Sequence, residues 1–282
     1  MKKIYGIVGY PLEHTMSPFI HNQAFKDNNL NAEYKIFRCK TTEDISNLVK
    51  NEKISGFNVT IPHKNNILQY LDTISDKAKI SGAVNAVKYL DNGKLFGDNF
   101  DIDGFTESFS KCQQIQNGNF IILGCGGSAR AVYYSLASNG ANKITISARN
   151  TKKAEDMHSY FDTYFPKVTK NITSFGDISK EAKKCNGLIN CTPCTMQGFE
   201  DTFNFTIPEN IDKKCFVFDL VYIPQNTKLI ENAKYLGLNS KCGLEMLLIQ
   251  ALKSFELWTE KSFDISKFFH LLNSDEWKNI CS

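Results

Sequence analysis

The sequence has no long apolar run, no stripe of like charge and no low-complexity tract. Lysine residues occur in ones and twos between acids, and the formal net charge is only +3 over 282 residues. This balance gives no indication of nucleic acid binding. The apolar stretch after Lys2 and Lys3 is broken by Gly6, Gly9 and Pro11. We therefore expect neither an export signal nor a membrane span.

Proline and glycine are also sparse, with 7 and 17 residues, and they form no extended flexible linker. An apolar content of 42% in a chain of this length suffices for one large domain or two modest ones, and we expect two. The 9 cysteines are spread along the whole chain, unlike the disulfide framework of a small secreted domain. Reduced thiols and a cytoplasmic location are the expectation.

Short β-type runs alternate with helix-type stretches in the first third of the chain, a pattern typical of a mostly parallel sheet covered by helices. Ser17 followed by Pro18 predicts a helix start with Ser17 as its N-cap. Asn92-Gly93 predicts a hairpin turn with positive φ at both residues. The other predicted elements are strands over Lys2–Gly9, Ala32–Cys39 and Gly56–Ile61 and a helix from about Glu43 to Asn51.

A second βαβ series begins with a glycine-rich loop that directly follows a predicted strand, Asn119–Leu123. The loop reads Gly124-Cys125-Gly126-Gly127-Ser128-Ala129, a G-x-G-x-x-A pattern. Gly124 permits the tight turn, Gly126 lets a pyrophosphate approach the backbone, and Ala129 lets the helix pack closely on the strand. The helix N-terminus at Gly127 and Ser128 presents free N–H groups to phosphate. This context favours dinucleotide binding over a merely tight turn.

Further elements are predicted along the rest of the chain. They are a helix over Ser128–Asn139 ended by Gly140, strands over Lys143–Ala148, Gly187–Thr192 and Cys215–Tyr222, and terminal helices over Leu244–Trp258 and Ile265–Leu272.

The strand after the glycine loop ends without the acid that would bind the ribose 2′-OH of NAD. The sequence there is Ala148-Arg149-Asn150-Thr151-Lys152-Lys153. Arg149 offers a planar fork for a phosphate, and Asn150 and Lys153 stand beside it. The segment therefore predicts NADP (NADPH) as the cofactor. The alternative is a solvated basic turn that binds nothing.

Four polar clusters in the first lobe fall at predicted strand ends, where an open α/β sheet presents its binding crevice. They read GYPLEHTMSP over residues 9–18, NVTIPHK over 58–64, GAVN over 82–85 and GDNFD over 97–101. In this order, and followed by the glycine loop, the motifs resemble those of the shikimate dehydrogenase family, including its quinate/shikimate members. The resemblance extends from Tyr5 to about Trp258.

The resemblance implies a two-lobed α/β fold. A substrate-binding domain would span residues 1–101 and a Rossmann-type dinucleotide-binding domain residues 102–243, with C-terminal helices over 244–282 returning to pack on the first lobe. The implied activity is the NADPH-dependent reduction of 3-dehydroshikimate to shikimate, in aromatic amino acid biosynthesis. Apart from this small-molecule substrate we expect no nucleic acid or membrane partner, and a monomer or a homodimer.

The resemblance also implies roles for individual residues. Lys64 and Asp101 would form the catalytic pair and contact the substrate. The remaining substrate-binding positions would be Thr15, Ser17, Thr60, Asn85, Tyr222 and Gln250. The cofactor would pass a loop with Asn190, Thr192 and Met196, and two further cofactor positions, Leu220 and Gly243, lie in motifs similar to those of the family.

The chemistry supports a lysine at position 64 independently of the resemblance. Hydride arriving at a carbonyl carbon leaves growing negative charge on oxygen, which a positioned ammonium can stabilise before it donates a proton. The alternative for Lys64 is a surface lysine at the start of a helix. For Asp101 it is the N-cap of a helix over Ile102–Cys112, and both roles can hold at once.

Several positions depart from the family pattern. Phe100 and Ala86 stand where threonine is expected, and these changes alter the shape of the substrate pocket. Thr195 replaces a glycine, and Glu245 replaces a small residue. Both of these fall near the expected nicotinamide end, so they bear on cofactor geometry. Thr15 keeps the hydroxyl of the usual serine.

Other chemically suggestive residues have simpler explanations. Cys191 and Cys194 form a C-x-x-C, but they lack two further ligands for zinc and do not open a helix as a thioredoxin-type pair does. We interpret the pair as coincidental. His14, His21 and His63 are expected to be structural hydrogen-bonding residues. The aromatic tail residues are expected to pack in a core, with a dimer contact as a further option; they are Phe255, Trp258, Phe263, Phe268 and Phe269.

Two other functions stay open. One is a quinate/shikimate dehydrogenase with relaxed use of NAD and NADP. The other is a catalytically silent dinucleotide-binding regulator on the same scaffold. The joint presence of Lys64, Asp101, Asn85 and Gln250 argues against the silent protein.

Overall fold

The computed structural model describes residues 2–12, 15–52, 54–196 and 205–272. The chain divides into two compact units, one comprising residues 1–100 and 248–282 and the other residues 101–247. The first predicted boundary, 101/102, lies one residue after the observed division at 100/101. The second, 243/244, lies four residues before the division at 247/248. Of the C-terminal segment expected over 244–282, residues 273–282 lie outside the described part.

Strands and helices alternate along both units. The strands are β1 (Lys3–Gly9), β2 (Ala32–Arg38), β3 (Ile54–Val59), β4 (Thr73–Ile74), β5 (Ala86–Tyr89), β6 (Leu95–Asp98), β7 (Asn119–Leu123), β8 (Lys143–Ser147), β9 (Thr169–Thr173), β10 (Gly187–Asn190), β11 (Phe216–Asp219) and β12 (Ser240–Cys242). The helices are α1 (Ser17–Asp27), α2 (Thr42–Glu52), α3 (Asp76–Ser81), α4 (Asp101–Ser110), α5 (Gly127–Ser138), α6 (Thr151–Asp162), α7 (Ser179–Ala182), α8 (Lys228–Tyr235), α9 (Leu244–Thr259) and α10 (Ile265–Leu272), and a 3-10 helix covers Asn66–Tyr70.

The first unit is built on a mixed sheet with the strand order β2-β1-β3-β5-β6-β4. The pairs β1–β2, β1–β3 and β4–β6 are parallel, whereas β3–β5 and β5–β6 are antiparallel. Strands β1 and β3 are parallel, so their carboxyl ends lie at the same edge of the sheet. Gly9, the last residue of β1, is therefore close to Thr60, the residue that follows β3. This edge carries the polar clusters of the sequence.

Residues of α9 pack on this first sheet. Trp258 of α9 donates from Nε1 to the carbonyl oxygen of Val87 at 2.9 Å, and its ring stacks on Tyr5 with centroids 5.2 Å apart. Phe255 and Phe268 are fully buried. The prediction that the aromatic tail packs in a core is confirmed. Burial of several rings makes this packing a main source of stability for the unit.

The expected hydrogen-bonding role holds for one of the three histidines. His63 is buried, with Nε2 2.8 Å from the carbonyl oxygen of Cys39. For His21 the expectation is wrong, because neither ring nitrogen has a hydrogen-bond partner in the described part of the chain. Its ring is instead fully buried and stacked on Tyr34, with centroids 4.4 Å apart. His14 lies outside the described residues.

The second unit contains a fully parallel sheet with the order β12-β11-β10-β7-β8-β9. Counted from β7 as strand 1, this is the 3-2-1-4-5-6 order of the Rossmann fold. Alternate residues of β7 enter two different cores: Phe120 and Ile122 pack on one face and Ile121 and Leu123 on the other. The sheet is therefore covered on both sides, as parallel sheets require.

Predicted and observed element ends differ at several positions, and three of these local differences have a clear structural basis. Met16 occupies the N-cap position of α1, and Ser17 is already helical. In the hairpin only Gly93 has positive φ, and its N–H donates to the Leu90 carbonyl at 2.9 Å, so a longer loop replaces the two-residue turn. β3 ends at Val59, because the Ile61 carbonyl turns to accept from the Tyr10 N–H at 2.9 Å.

Among the described residues, none of the helices combines the length and the apolar character that crossing a membrane requires.

Candidate active site

Lys64 lies in a turn just beyond the end of β3 and is half-buried. Its carbonyl oxygen accepts from the Val84 N–H at 2.8 Å, and the neighbouring Asn65 side chain donates to the Gly82 carbonyl at 2.7 Å. The turn is thus fixed to the segment that leads into β5. The residue that bonds the Lys64 main chain, Val84, directly precedes Asn85.

Asn85 connects several of the predicted site residues. It is buried, with 2% of its surface exposed. Its Oδ1 accepts from the Phe100 N–H at 2.7 Å, and its Nδ2 donates to Oε1 of Gln250 at 3.3 Å. The Asn85 side chain thus bonds both Phe100, which directly precedes Asp101, and Gln250 of α9.

A second buried amide, Asn58, supports this arrangement, although the sequence motifs did not identify it as a site residue. Its Nδ2 donates to the Asn85 carbonyl at 3.1 Å and to Oγ of Ser254 at 2.8 Å, while its Oδ1 accepts from the Tyr34 hydroxyl at 2.7 Å. Asn58 opens the NVTIPHK motif, and a polar residue between the apolar Phe57 and Val59 of a predicted strand was the available signal. It ties α9 to the sheet at the level of Gln250, since Ser254 is four residues further along the same helix.

Three other predicted substrate positions lie at the same edge of the first sheet. The Thr15 hydroxyl donates to the Ser17 hydroxyl at 3.3 Å, and Ser17 is 4% exposed. Thr60 packs against Gly9, where a Cβ atom would come within 2.4 Å of Thr60 Cγ2. Glycine at position 9 therefore allows the close approach of the two strand ends.

Asp101 and Tyr222 belong to the second unit by their contacts. Asp101 is 6% exposed and is the first residue of α4. A carboxylate in the first turn of a helix is stabilised by the helix dipole. Tyr222 is half-buried in the segment after β11.

The glycine loop has the geometry that the sequence predicts for a phosphate site. Gly124 has φ of +103°, and its N–H donates to the Ser147 carbonyl at the end of β8 at 2.8 Å. Gly126 is the N-cap of α5, and a Cβ atom built there would meet nothing within 4 Å. Ala129 is fully buried against the sheet. Gly127 and Ser128 are the first residues of the helix, so the N-terminal end of its dipole lies at the glycine loop.

The basic segment after β8 lies beside this loop. Arg149 and Lys153 are exposed, and Asn150 caps α6 by accepting from the Lys153 N–H at 3.0 Å. Burial raises the pKa of the Cys125 thiol within the loop, while the nearby cations Lys153 and Arg130 oppose that rise. Lys153 and Arg130 therefore place positive charge near the glycine loop, which suits an anionic ligand.

The loop after β10 contains Asn190 and Thr192, both predicted to be near the cofactor. Oδ1 of the fully buried Asn190 accepts from the Thr192 N–H at 3.0 Å and from the Thr192 hydroxyl at 2.7 Å. Thr192 Cγ2 lies 3.0 Å from the position of a Cβ atom on Gly124. Met196 closes the same loop, with its N–H donating to the Pro193 carbonyl at 2.9 Å. The loop thus packs directly on the glycine loop.

Leu220 and Gly243 are in close contact. A Cβ atom on the buried Gly243 would lie 2.1 Å from the Leu220 carbonyl oxygen and 2.7 Å from its carbonyl carbon. The Gly243 N–H also donates to the Val221 carbonyl at 3.1 Å. No side chain fits at position 243 without movement of the backbone after β11.

We expect Gly243→Ala to destabilise the second unit by about 1–3 kcal/mol, because a methyl group must displace main chain rather than a flexible side chain. Urea unfolding measures this change. Gly176→Ala is the matched control, since the nearest atom to a Cβ there is Ser174 Oγ at 3.9 Å; its effect should stay within about 0.5 kcal/mol. Equal midpoints for wild type and Gly243→Ala would refute the steric argument.

Glu245, one of the departures from the family pattern, is held by cations. Its carboxylate accepts from Lys111 at 2.7 Å and from Lys241, and the Ser108 hydroxyl lies at 3.4 Å. Burial alone would raise the pKa of Glu245, but the hydrogen bonds from the two lysines hold it below its usual value. The side chain therefore joins the start of α9 to α4 within the second unit.

The structure gives no support to a metal at the C-x-x-C. Within the described ranges, no group of three or more histidine, cysteine, aspartate or glutamate side chains could hold a metal ion. Cys191 and Cys194 are free thiols.

A Rossmann strand order that carries a G-x-G-x-x-A loop defines a dinucleotide-binding protein of the α/β class. Comparisons specify the family. The sequence profile described as shikimate dehydrogenase substrate binding domain matches residues 7–87. A shikimate dehydrogenase (NADP(+)) of Nitrosopumilus maritimus is 37% identical over 262 residues, covering 92% of this chain and 93% of the relative.

Solved structures agree with this result. A shikimate dehydrogenase in complex with NADP+ matches with a TM-score of 0.82 and 34% identity over 94% of this chain and 92% of the other. The enzyme of Listeria monocytogenes, in complex with shikimate and NAD, matches with a TM-score of 0.84 and 29% identity over 96% of both chains. The chain belongs to the shikimate dehydrogenase family.

Proposed function

We propose that this chain is an NADP-dependent shikimate dehydrogenase that catalyses the reversible reduction of 3-dehydroshikimate to shikimate. The observation that carries the proposal is the set of hydrogen bonds around Asn85. They bring the Lys64 turn, Gln250 and the residue before Asp101 together at one sheet edge. The first unit then binds the substrate, and the second unit binds the dinucleotide.

The reaction requires a hydride donor and a proton donor. When bound at the glycine loop, NADPH supplies the hydride. Lys64 is the proton donor in the proposal: its ammonium stabilises the charge that develops on the carbonyl oxygen and transfers a proton to it. Asp101 is proposed as the second member of the catalytic pair. In the oxidative direction the same amine accepts the hydroxyl proton.

The remaining polar groups of the first unit orient the substrate. Shikimate carries hydroxyl groups and a carboxylate, which need both donors and acceptors. Thr15, Ser17 and Thr60 offer hydroxyls, and Asn85 and Gln250 offer amides that the protein already holds in place. Tyr222 is proposed to add a further hydroxyl. Fixed groups of this kind lower the entropic cost of reaching a reactive geometry.

Arg149 is proposed to bind the 2′-phosphate of NADP. We expect Arg149→Ala to weaken NADPH binding on the order of tenfold to a hundredfold, the equivalent of about 1.5–3 kcal/mol, with little effect on NADH. Fluorescence titration with both cofactors measures this. Lys180→Ala, an exposed lysine in the same unit, serves as the control. Equal losses for NADPH and NADH would contradict the assignment.

A direct assay distinguishes the proposal from a silent regulator. Purified protein is mixed with NADPH, and absorbance at 340 nm is followed after addition of 3-dehydroshikimate. A decrease that scales with protein concentration supports the dehydrogenase. Binding of NADPH without any absorbance change on adding 3-dehydroshikimate would favour the catalytically silent protein instead.

A further inference from the structure

The strongest unassigned feature of the second unit is a buried carboxylate that no cation neutralises among the described residues. Asp219 ends β11 and is fully buried. Its Oδ2 accepts from the Thr195 hydroxyl at 2.8 Å and from the Thr227 hydroxyl at 2.7 Å. Its Oδ1 accepts from Asn190 Nδ2 at 2.9 Å and from the Val221 N–H at 3.1 Å. Four neutral donors thus replace the water that a carboxylate requires.

Thr195 lies in the loop after β10, at a position where the resemblance to the family leads us to expect glycine. It is 4% exposed. Its hydroxyl donates to Asp219 and accepts from Asn190 Nδ2 at 3.2 Å. Both hydrogen-bonding functions of the hydroxyl are therefore used, and the side chain joins the loop after β10 to the end of β11.

The loop that Thr195 fixes also contacts the glycine loop. Thr192, three residues earlier, lies against Gly124, and the Cys191 N–H donates to the Leu123 carbonyl at 2.9 Å. A displacement at Thr195 would therefore reach the surface that faces the proposed pyrophosphate. Glycine at this position would leave the loop without its bond to Asp219.

We propose that Thr195 is a positioning residue for cofactor binding: its hydroxyl fastens the 191–196 loop to Asp219 and so fixes Thr192 at the glycine loop. This inference rests on the proposed function, since it concerns the same dinucleotide site.

The test compares Thr195→Val, which keeps the shape and removes the hydroxyl, with Thr195→Ser, which keeps the hydroxyl. NADPH affinity is measured by fluorescence titration, and kcat and KM by the 340 nm assay. We expect Thr195→Val to weaken NADPH binding about tenfold, as loss of one buried hydrogen bond does. The KM for 3-dehydroshikimate should change less than about twofold, and Thr195→Ser should restore NADPH affinity.

Thr227→Val is the matched control. It removes the other hydroxyl from the same carboxylate oxygen but belongs to the N-terminus of α8, not to the 191–196 loop. We expect it to lower the melting temperature at least as much as Thr195→Val while leaving NADPH affinity within about twofold of wild type.

The outcomes separate this inference from the proposed function. Equal NADPH affinity of wild type and Thr195→Val, or parallel losses in Thr195→Val and Thr227→Val, would overturn the positioning role. Failure of the wild-type protein to bind NADPH at all would refute the proposed function itself.

Discussion

Lys64→Met is expected to lower kcat by a factor of about a hundred to ten thousand, the usual contribution of a positioned proton donor, or about 3–5 kcal/mol of barrier. Methionine keeps most of the length and apolar surface of the lysine stem. The bond from the Val84 N–H to the main-chain oxygen at position 64 is also kept. The loss should therefore fall on the chemical step, with NADPH affinity nearly unchanged.

The measurement is steady-state turnover at 340 nm together with an NADPH titration. Lys94→Met is the control, because Lys94 is an exposed lysine of the same unit in the β5–β6 hairpin. That variant should retain wild-type kcat. If Lys64→Met turned over at the wild-type rate, Lys64 would have no part in proton transfer.

Acid is expected to destabilise the first unit through His21. Burial lowers the pKa of His21 to about 3, and the polar side chain of Asn58 opposes this shift only in part. In the unfolded chain a histidine titrates near 6.5. The unfolded state therefore binds a proton between these values and the folded state does not. Stability is full above about pH 6.5, decreases as the pH falls towards 3, and then levels off.

The expected size is about 1.4 kcal/mol per pH unit within that window, or about 2–3 kcal/mol at pH 4.5. His21→Phe keeps a ring to stack on Tyr34 and removes the titration. Urea unfolding from pH 7 to pH 4 should show wild type losing stability relative to His21→Phe. Phe25→Leu, a neighbour in the same aromatic cluster, should lower stability by an equal amount at every pH. Parallel curves for wild type and His21→Phe would disprove the assignment.

The second sheet could be predicted in outline because its signals are local. Asn119–Leu123 contains four consecutive apolar residues and is followed at once by the glycine loop, and the structure has the same bounds for β7. Gly124 and Gly126 also have the conformations that the motif requires. Short polar elements such as β9 and α8 were not predicted. Thr169–Thr173 lacks an apolar run, and it forms strand β9 by pairing with β8.

The hydrogen bonds that organise the site were less predictable. Motif positions identified Asn85 and Gln250, but not that they bond each other across 165 positions of sequence. In the sequence, Asp219 is only an acid at the end of an apolar strand, and Thr227 is only a candidate helix cap. Neither feature predicts that the two side chains bond each other. Such contacts depend on which side chains the folded sheet brings together, and no periodicity records that.

The departures from the family pattern have structural partners. Thr195 bonds Asp219, and Glu245 bonds Lys111 and Lys241. Phe100 is buried, with the Lys77 ammonium 4.4 Å from its ring centroid, a favourable cation–π geometry. In each case the unusual side chain is accommodated by neighbours within its own unit.

The proposed function is tested most directly by comparing kcat/KM for shikimate and quinate, each with NADP+ and NAD+, in one spectrophotometric series. We expect the highest value for shikimate with NADP+, at least about tenfold above shikimate with NAD+, if Arg149 binds the 2′-phosphate as proposed. Comparable values for quinate, or for NAD+, would point to the quinate/shikimate enzyme with relaxed cofactor use. Absence of turnover with every pair would contradict the proposed dehydrogenase activity.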